Sequence, residues 1–84
     1  MNKKLQYNVI FRPEPEGGYT VIVPSLPGCL TYGKNLTEAK IMAKDAISAY
    51  ISVLVEDKEP VPSDDKSIIS SIPFSLKENN RVHA

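Results

Sequence analysis

Three residue types are scarce: the 84 residues include one Cys, one His and no Trp. One cysteine cannot close an internal disulfide or supply a thiolate zinc site. The histidine, His83, lies in a polar C-terminal stretch that is expected to fray, so it is not expected to serve as a general base. An excess of either charge is also lacking. Ten Lys+Arg balance ten Asp+Glu, so bulk electrostatics does not point to nucleic acid or a membrane surface. The chain has neither the roughly 7–15 apolar residues of a signal peptide nor the roughly 20 of a membrane span. The expected compartment is therefore the cytoplasm. A chain this short makes one small domain that is marginal alone, so help from a second copy is expected.

What is present has clear periodicity. Leu5, Tyr7, Val9 and Phe11 alternate with Gln6, Asn8, Ile10 and Arg12, which predicts a half-buried strand over 5–12. Pro13-Glu14-Pro15-Glu16-Gly17-Gly18 breaks it, because the prolines remove ladder donors and the glycines admit positive φ. Tyr19, Val21 and Val23 resume the alternation, and the two segments read as a hairpin. A stiff loop, Pro24-Ser25-Leu26-Pro27-Gly28, leads to a short third strand over Cys29–Tyr32 closed by Gly33. Asn35 with Glu38 three residues on resembles a capping box. Ala39, Met42, Ala43, Ala46, Ile47, Tyr50, Val53 and Leu54 then form a helical stripe, and Pro60 requires the helix to end before it. Ile68, Ile69, Ile72, Phe74 and Leu76 suggest a fourth strand, confined to an edge by Pro73. The expected fold is α+β, in the order β-β-β-α-β, with a three- to four-stranded sheet on one long helix. Residues 1–76 would form the domain and 77–84 a flexible tail.

Candidate chemistry is thin. Gly28 to Lys34 has the G-x-x-x-x-G-K spacing of a phosphate loop. Asn35, however, stands where a Ser or Thr hydroxyl would hold magnesium, and strand residues fill the loop, so these glycines are expected to make turns. Glu14, Glu16, Glu38 and Asp45 do not cluster in an apolar strand, so neither a metal site nor a cofactor is expected. Cys29 lacks a histidine partner and reads as a small apolar residue. The basic residues are dispersed without interleaved aromatics, which gives no base-stacking platform and no expectation of direct DNA binding. The zero net charge is nevertheless uneven. Residues 1–55 hold six basic and four acidic residues (net +2), and residues 56–84 hold four and six (net −2). Between Glu56 and Asp65 five acids face one lysine. A non-catalytic binding module is the reading that remains.

Tyr7-x-Val9-x-Phe11, followed by Gly17-Gly18-Tyr19-Thr20-Val21-x-Val23-Pro24-x-Leu26-Pro27-Gly28-Cys29, resembles the start of HicB antitoxins. Gly33-Lys34-Asn35-Leu36-Thr37-Glu38-Ala39 fits the glycine and Leu-x-Glu-Ala helix opening of that family. Ala43, Ala46, Ile47, Tyr50 and Pro60-x-Pro62 continue the pattern, so the resemblance runs from Leu5 to Pro62. It implies a partial ribonuclease-H-like fold without the catalytic acids. It also implies an antitoxin that covers the active site of a small basic HicA-type ribonuclease. The small size of the domain adds the expectation of homodimers or higher homo-oligomers. Many members carry a C-terminal DNA-binding domain. The stretch after Pro62 is too short for one plus a fourth strand, so a stand-alone domain is expected. The expected partner contacts are Gly17, Gly18 and Tyr19 at the hairpin tip, Pro24, Leu26, Pro27 and Gly28 in the stiff loop, and Glu56, Asp57 and Glu59 after the helix. Two alternatives are a residual metal-dependent nuclease using Glu38 and Asp45, and an orphan self-associating domain without a toxin.

Overall fold

The computed structural model describes residues 4–77. Three short strands, β1 (Ile10–Pro13), β2 (Tyr19–Ile22) and β3 (Leu30–Gly33), form an antiparallel sheet in that order, and one helix, α1 (Leu36–Glu56), follows. The architecture is α+β. The register pairs Ile10 with Ile22 and Ile22 with Leu30, so successive hairpins build the sheet from local contacts.

The first turn, Glu14–Gly18, closes through Glu14 N–H to Gly18 O (3.0 Å) and Gly17 N–H to Glu14 O (2.9 Å). Gly17 and Gly18 adopt φ of 108° and 77°, a region that costs other residues about 1–2 kcal/mol. Helix α1 starts as its sequence predicts. The Asn35 side chain accepts the Glu38 N–H (2.8 Å), and the Glu38 carboxylate accepts the Lys34 N–H (2.8 Å). The helix ends in a Schellman arrangement four residues before Pro60. Lys58 N–H donates to Val55 O (3.1 Å) and Glu59 N–H to Leu54 O (2.8 Å), with Lys58 at φ 57°.

The helix lies mainly over β3 and, less, over the central strand β2, and leaves β1 largely uncovered. Val21, Ala39 and Ala43 are buried at one end of the layer, beside Val9, Phe11 and Tyr19. Val23, Leu26 and Cys29 are buried at the other, beside Tyr7, Ile47, Tyr50, Ile51 and Leu54. The alanines keep the first turns close to the sheet. At Gly33 a Cβ would lie 2.3 Å from the Ala39 nitrogen, so this glycine is required by close approach and not by φ.

Four expectations are corrected. The first strand begins at Ile10, not Leu5, because β2 ends before Pro24, which has no N–H to extend the ladder. The third strand takes in Leu30–Gly33, with Cys29 just before it. On the helix Met42 and Val53 are exposed, while Ile51, outside the predicted stripe, packs on the core. The fourth strand is absent among the described residues. A turn, Ser67 N–H to Asp64 O (3.0 Å), diverts the chain, and residues 68–77 have no assigned strand and lie exposed. The radius of gyration is 16.6 Å, against about 12 Å for a compact chain of this length. The excess reflects this projecting arm. Of the expected flexible tail, residues 78–84 lie outside the described residues, as does His83.

Candidate binding surfaces

The stiff loop is tied down at both ends. Leu26 N–H donates to Val23 O (3.0 Å), Cys29 N–H to Leu26 O (2.9 Å) and Val23 N–H to Cys29 O (3.2 Å). These bonds turn Leu26 into the core, where it is fully buried, so its side chain positions the loop from below. Pro24, Pro27 and Gly28 remain exposed above it. The Tyr50 hydroxyl, from α1, donates to Pro27 O (2.8 Å) and fixes the crest of the loop against the helix. Burial pushes the Cys29 thiol up and keeps it protonated.

Asp64 joins this loop to two other segments. Ser25 donates its hydroxyl to Asp64 Oδ1, Asn8 N–H donates to Asp64 Oδ2 (2.9 Å), and Asp64 N–H donates to Gln6 O (2.7 Å). Its side chain is nearly buried, and no buried side-chain polar atom lacks a partner among the described residues. The Ser25 hydrogen bond, with that from Asn8, holds the carboxyl below the ordinary carboxylate range, against an opposing effect of burial. Nearby, the Tyr7 hydroxyl donates to Pro62 O. Burial, with Asp64 adding to it, raises the pKa of Tyr7. The run 61–64 therefore lies beside residues 6–8 without forming a ladder. The sequence signal for this joint was weak: one acid among five in a segment that reads as solvated.

The expected contact residues separate into two groups. Glu56, Asp57 and Glu59 lie at the C-terminal end of α1, the end whose Tyr50 and Leu54 pack near Leu26 and Pro27. Pro24, Pro27, Gly28 and these acids thus share one end of the domain. Gly17, Gly18 and Tyr19 lie at the other, beyond the opposite end of β2, about 20 Å away along the extended chain. Tyr19 is half-buried against Val21. Gly18 is pressed against Tyr32, whose hydroxyl donates to Gly17 O (2.9 Å). Glu14 at the same tip accepts from Thr20 and lies 3.7 Å from Arg12.

Helix placement leaves another surface open. Because α1 covers β3 and β2, the helix-facing side chains before and along β1 border a groove of about 1160 Å³. Leu5, Tyr7, Val9 and Phe11 form one wall. Ala43, Ile47, Ile51 and Val55 form the other, with Lys40, Lys44 and Glu56 along the helix rim. The strand wall was legible as an apolar face; of the helix wall only Ala43 and Ile47 belong to the predicted stripe. On the opposite face of the sheet, exposed Ile10 and Leu30 flank half-buried Ile22 in a short row across the strands.

The family model for HicB-like antitoxins of bacterial toxin–antitoxin systems matches residues 7–77. This chain belongs to the HicB-like antitoxin family. A UPF0150 protein of Thermoplasma acidophilum is 44% identical over 66 residues, 79% of this chain and 96% of its own length. Antitoxin HicB of Escherichia coli is 40% identical over 58 residues, 69% of this chain and 42% of its own. Antitoxin HicB 1 of Photorhabdus laumondii is 40% identical over 60 residues, 71% of this chain and 39% of its own. The chain therefore matches less than half the length of these two named antitoxins and nearly all of the archaeal relative. Membership supports an antitoxin role in a toxin–antitoxin system.

As for the acids weighed for metal chemistry, Glu38 caps the helix and Asp45 is exposed on it. No three of His, Cys, Asp and Glu converge as metal ligands among the described residues. No helix of the described residues is long and apolar enough to cross a membrane.

Proposed function

We propose that this HicB-like chain is an antitoxin-type binding module that neutralises a small basic HicA-type ribonuclease by covering its active site in the cytoplasm. One observation carries the choice of surface: the helix C-terminus gathers Glu56, Asp57 and Glu59 beside the exposed, braced loop Pro24–Gly28. A helix C-terminus already bears partial negative charge, so acids there oppose folding by about 0.3–1 kcal/mol each at full effect. No basic residue in the last turn offsets them. A position unfavourable to stability is favourable to capture, because clustered negative charge steers a basic partner and sets its orientation. The braced loop adds a preorganised surface that loses little entropy on binding. The sheet and helix are read here as part of a ribonuclease-H-like layout that serves as a scaffold for binding.

The test is to mix the protein with a purified HicA-type toxin. A complex at micromolar concentration and loss of RNA cleavage are expected. Replacing Glu56, Asp57 and Glu59 together by Lys should weaken the complex by about 10-fold or more at low salt, less at high salt. No complex at micromolar concentration overturns the antitoxin reading. A complex indifferent to the triple charge reversal overturns the assignment of the surface.

A further inference from the structure

Residues 67–76 contain no charged side chain in a chain that is 24% charged, and five of the ten are large and apolar. Ile68, Ile69, Ile72, Phe74 and Leu76 are 93%, 65%, 81%, 85% and 58% exposed. Solvated arms are normally charged and poor in such residues, and apolar surface gathered on one exposed segment marks an interaction site. The same molecule has an open apolar groove that its own arm does not enter. The turn at Asp64–Ser67, held by the Asp64 joint, sends the arm away from the body, and the long axis reaches 57 Å, well beyond the roughly 32 Å of α1.

We infer that the arm 68–76 of one copy lies in the groove between β1 and α1 of a second copy, and that the exchange is reciprocal. Length supports the fit. The arm spans about 26 Å when extended. The groove runs about 24 Å along the helix from Lys40 to Glu56. The partly exposed row Ile10–Ile22–Leu30 crosses only three strands, about 10 Å, too short for this occupant. Area also supports it. In an extended arm Ile68, Ile72, Phe74 and Leu76 share one face; with aliphatic side chains of roughly 100 Å² and a phenylalanine of roughly 150 Å², at these exposures and counted on both surfaces of two arms, they bury about 1,400 Å². Stable interfaces bury about 1,200–2,000 Å². Pro73 is tolerated because the arm would be the outermost strand beside β1, whose outer edge has no neighbour in the sheet. A closed two-fold exchange would use both arms and both grooves and leave neither exposed. This inference does not depend on the toxin.

Sedimentation of the full chain tests it. A dimer is expected at micromolar concentration. Ile72→Asp and Phe74→Asp in the exposed arm should each weaken it by about 30-fold or more, the loss of one buried apolar side chain. Val55→Asp, at a groove position exposed in the single copy, should do the same, while circular dichroism stays unchanged. Leu30→Asp, on the outer sheet face, should leave the dimer intact. Copies carrying only Phe74→Cys mixed with copies carrying only Val55→Cys should form a disulfide-linked heterodimer. A monomeric wild type, a dimer lost with Leu30→Asp but kept with Val55→Asp, or no cross-link between the mixed copies overturns the inference.

Discussion

Gly33 sets how closely the sheet and the helix approach, and Gly33→Ala measures it. The added Cβ would lie 2.3 Å from the Ala39 nitrogen, 2.4 Å from its Cα and 2.8 Å from its Cβ. Carbon atoms in good contact are about 3.5–4.0 Å apart, so the end of β3 and the first turns of α1 must separate by more than about 1 Å. The obstructing atoms are mostly backbone, and no rotamer change relieves them. The same separation would loosen Val21, Ala39 and Ala43, which form the adjoining buried cluster. Overpacking of this kind costs about 1–3 kcal/mol, and a backbone clash belongs at the upper end. For a domain of this size about 3 kcal/mol lowers the melting temperature by some 12–24 °C. Gly28→Ala is the internal control. Gly28 has φ 80° but open space around its Cβ position, so its cost is conformational alone, about 1–2 kcal/mol. Urea unfolding followed by circular dichroism should rank Gly33→Ala below Gly28→Ala with an unchanged m-value. A Gly33→Ala protein within about 0.5 kcal/mol of wild type, the range of an ordinary surface substitution, would refute the close-approach argument.

Two further predictions follow from the helix end and the Asp64 joint. Lys58 occupies the left-handed position that glycine usually fills after a helix, so Lys58→Gly should stabilise the fold by about 0.5–1 kcal/mol, read as a higher urea midpoint. Asp64 titrates below its ordinary value in the folded protein, so between that lowered value and the unfolded carboxylate pKa of about 3.9 the unfolded chain binds more protons, and above about 3.9 the joint is fully stabilising. That contribution is lost as pH falls through the lower folded value. Asp64→Asn should therefore be less stable than wild type at pH 7 by a margin that narrows as pH falls below the unfolded value of about 3.9, and a margin independent of pH would refute the assignment.

The parts of the fold visible in the sequence are those set by neighbouring residues. Asn35, Glu38 and the alanines of α1 determine a helix start and a buried face within a few turns. Pro13–Gly18 determines a hairpin in the same way. The parts that escaped depend on what lies across space. Leu5–Val9 alternates like a strand, but the ladder stops at Ile10 because Pro24 ends the partner. Ile68–Leu76 has the composition of a strand, yet a strand also needs an edge, and the turn before Ser67 carries it away from one. Leu26, exposed by expectation as a loop residue, is buried because the hydrogen bonds of its loop turn it inward. Asp64 was one acid among five, and only the arrival of Asn8 and Ser25 beside it sets it apart.

The Asp64 joint also orders the ways the molecule can open. The sheet and the helix start are held by hydrogen bonds between near neighbours in the chain, whereas Gln6–Ser63, Tyr7–Pro62 and Asn8–Asp64 join residues 55–57 positions apart. Contacts of high sequence separation close a long loop and form last, and a joint with few apolar neighbours opens before the core does. The amides of Asn8 and Asp64 should exchange with solvent well before that of Val21. In that open form the N-terminal segment and the arm are released together, while the hairpin, the braced loop and the helix persist.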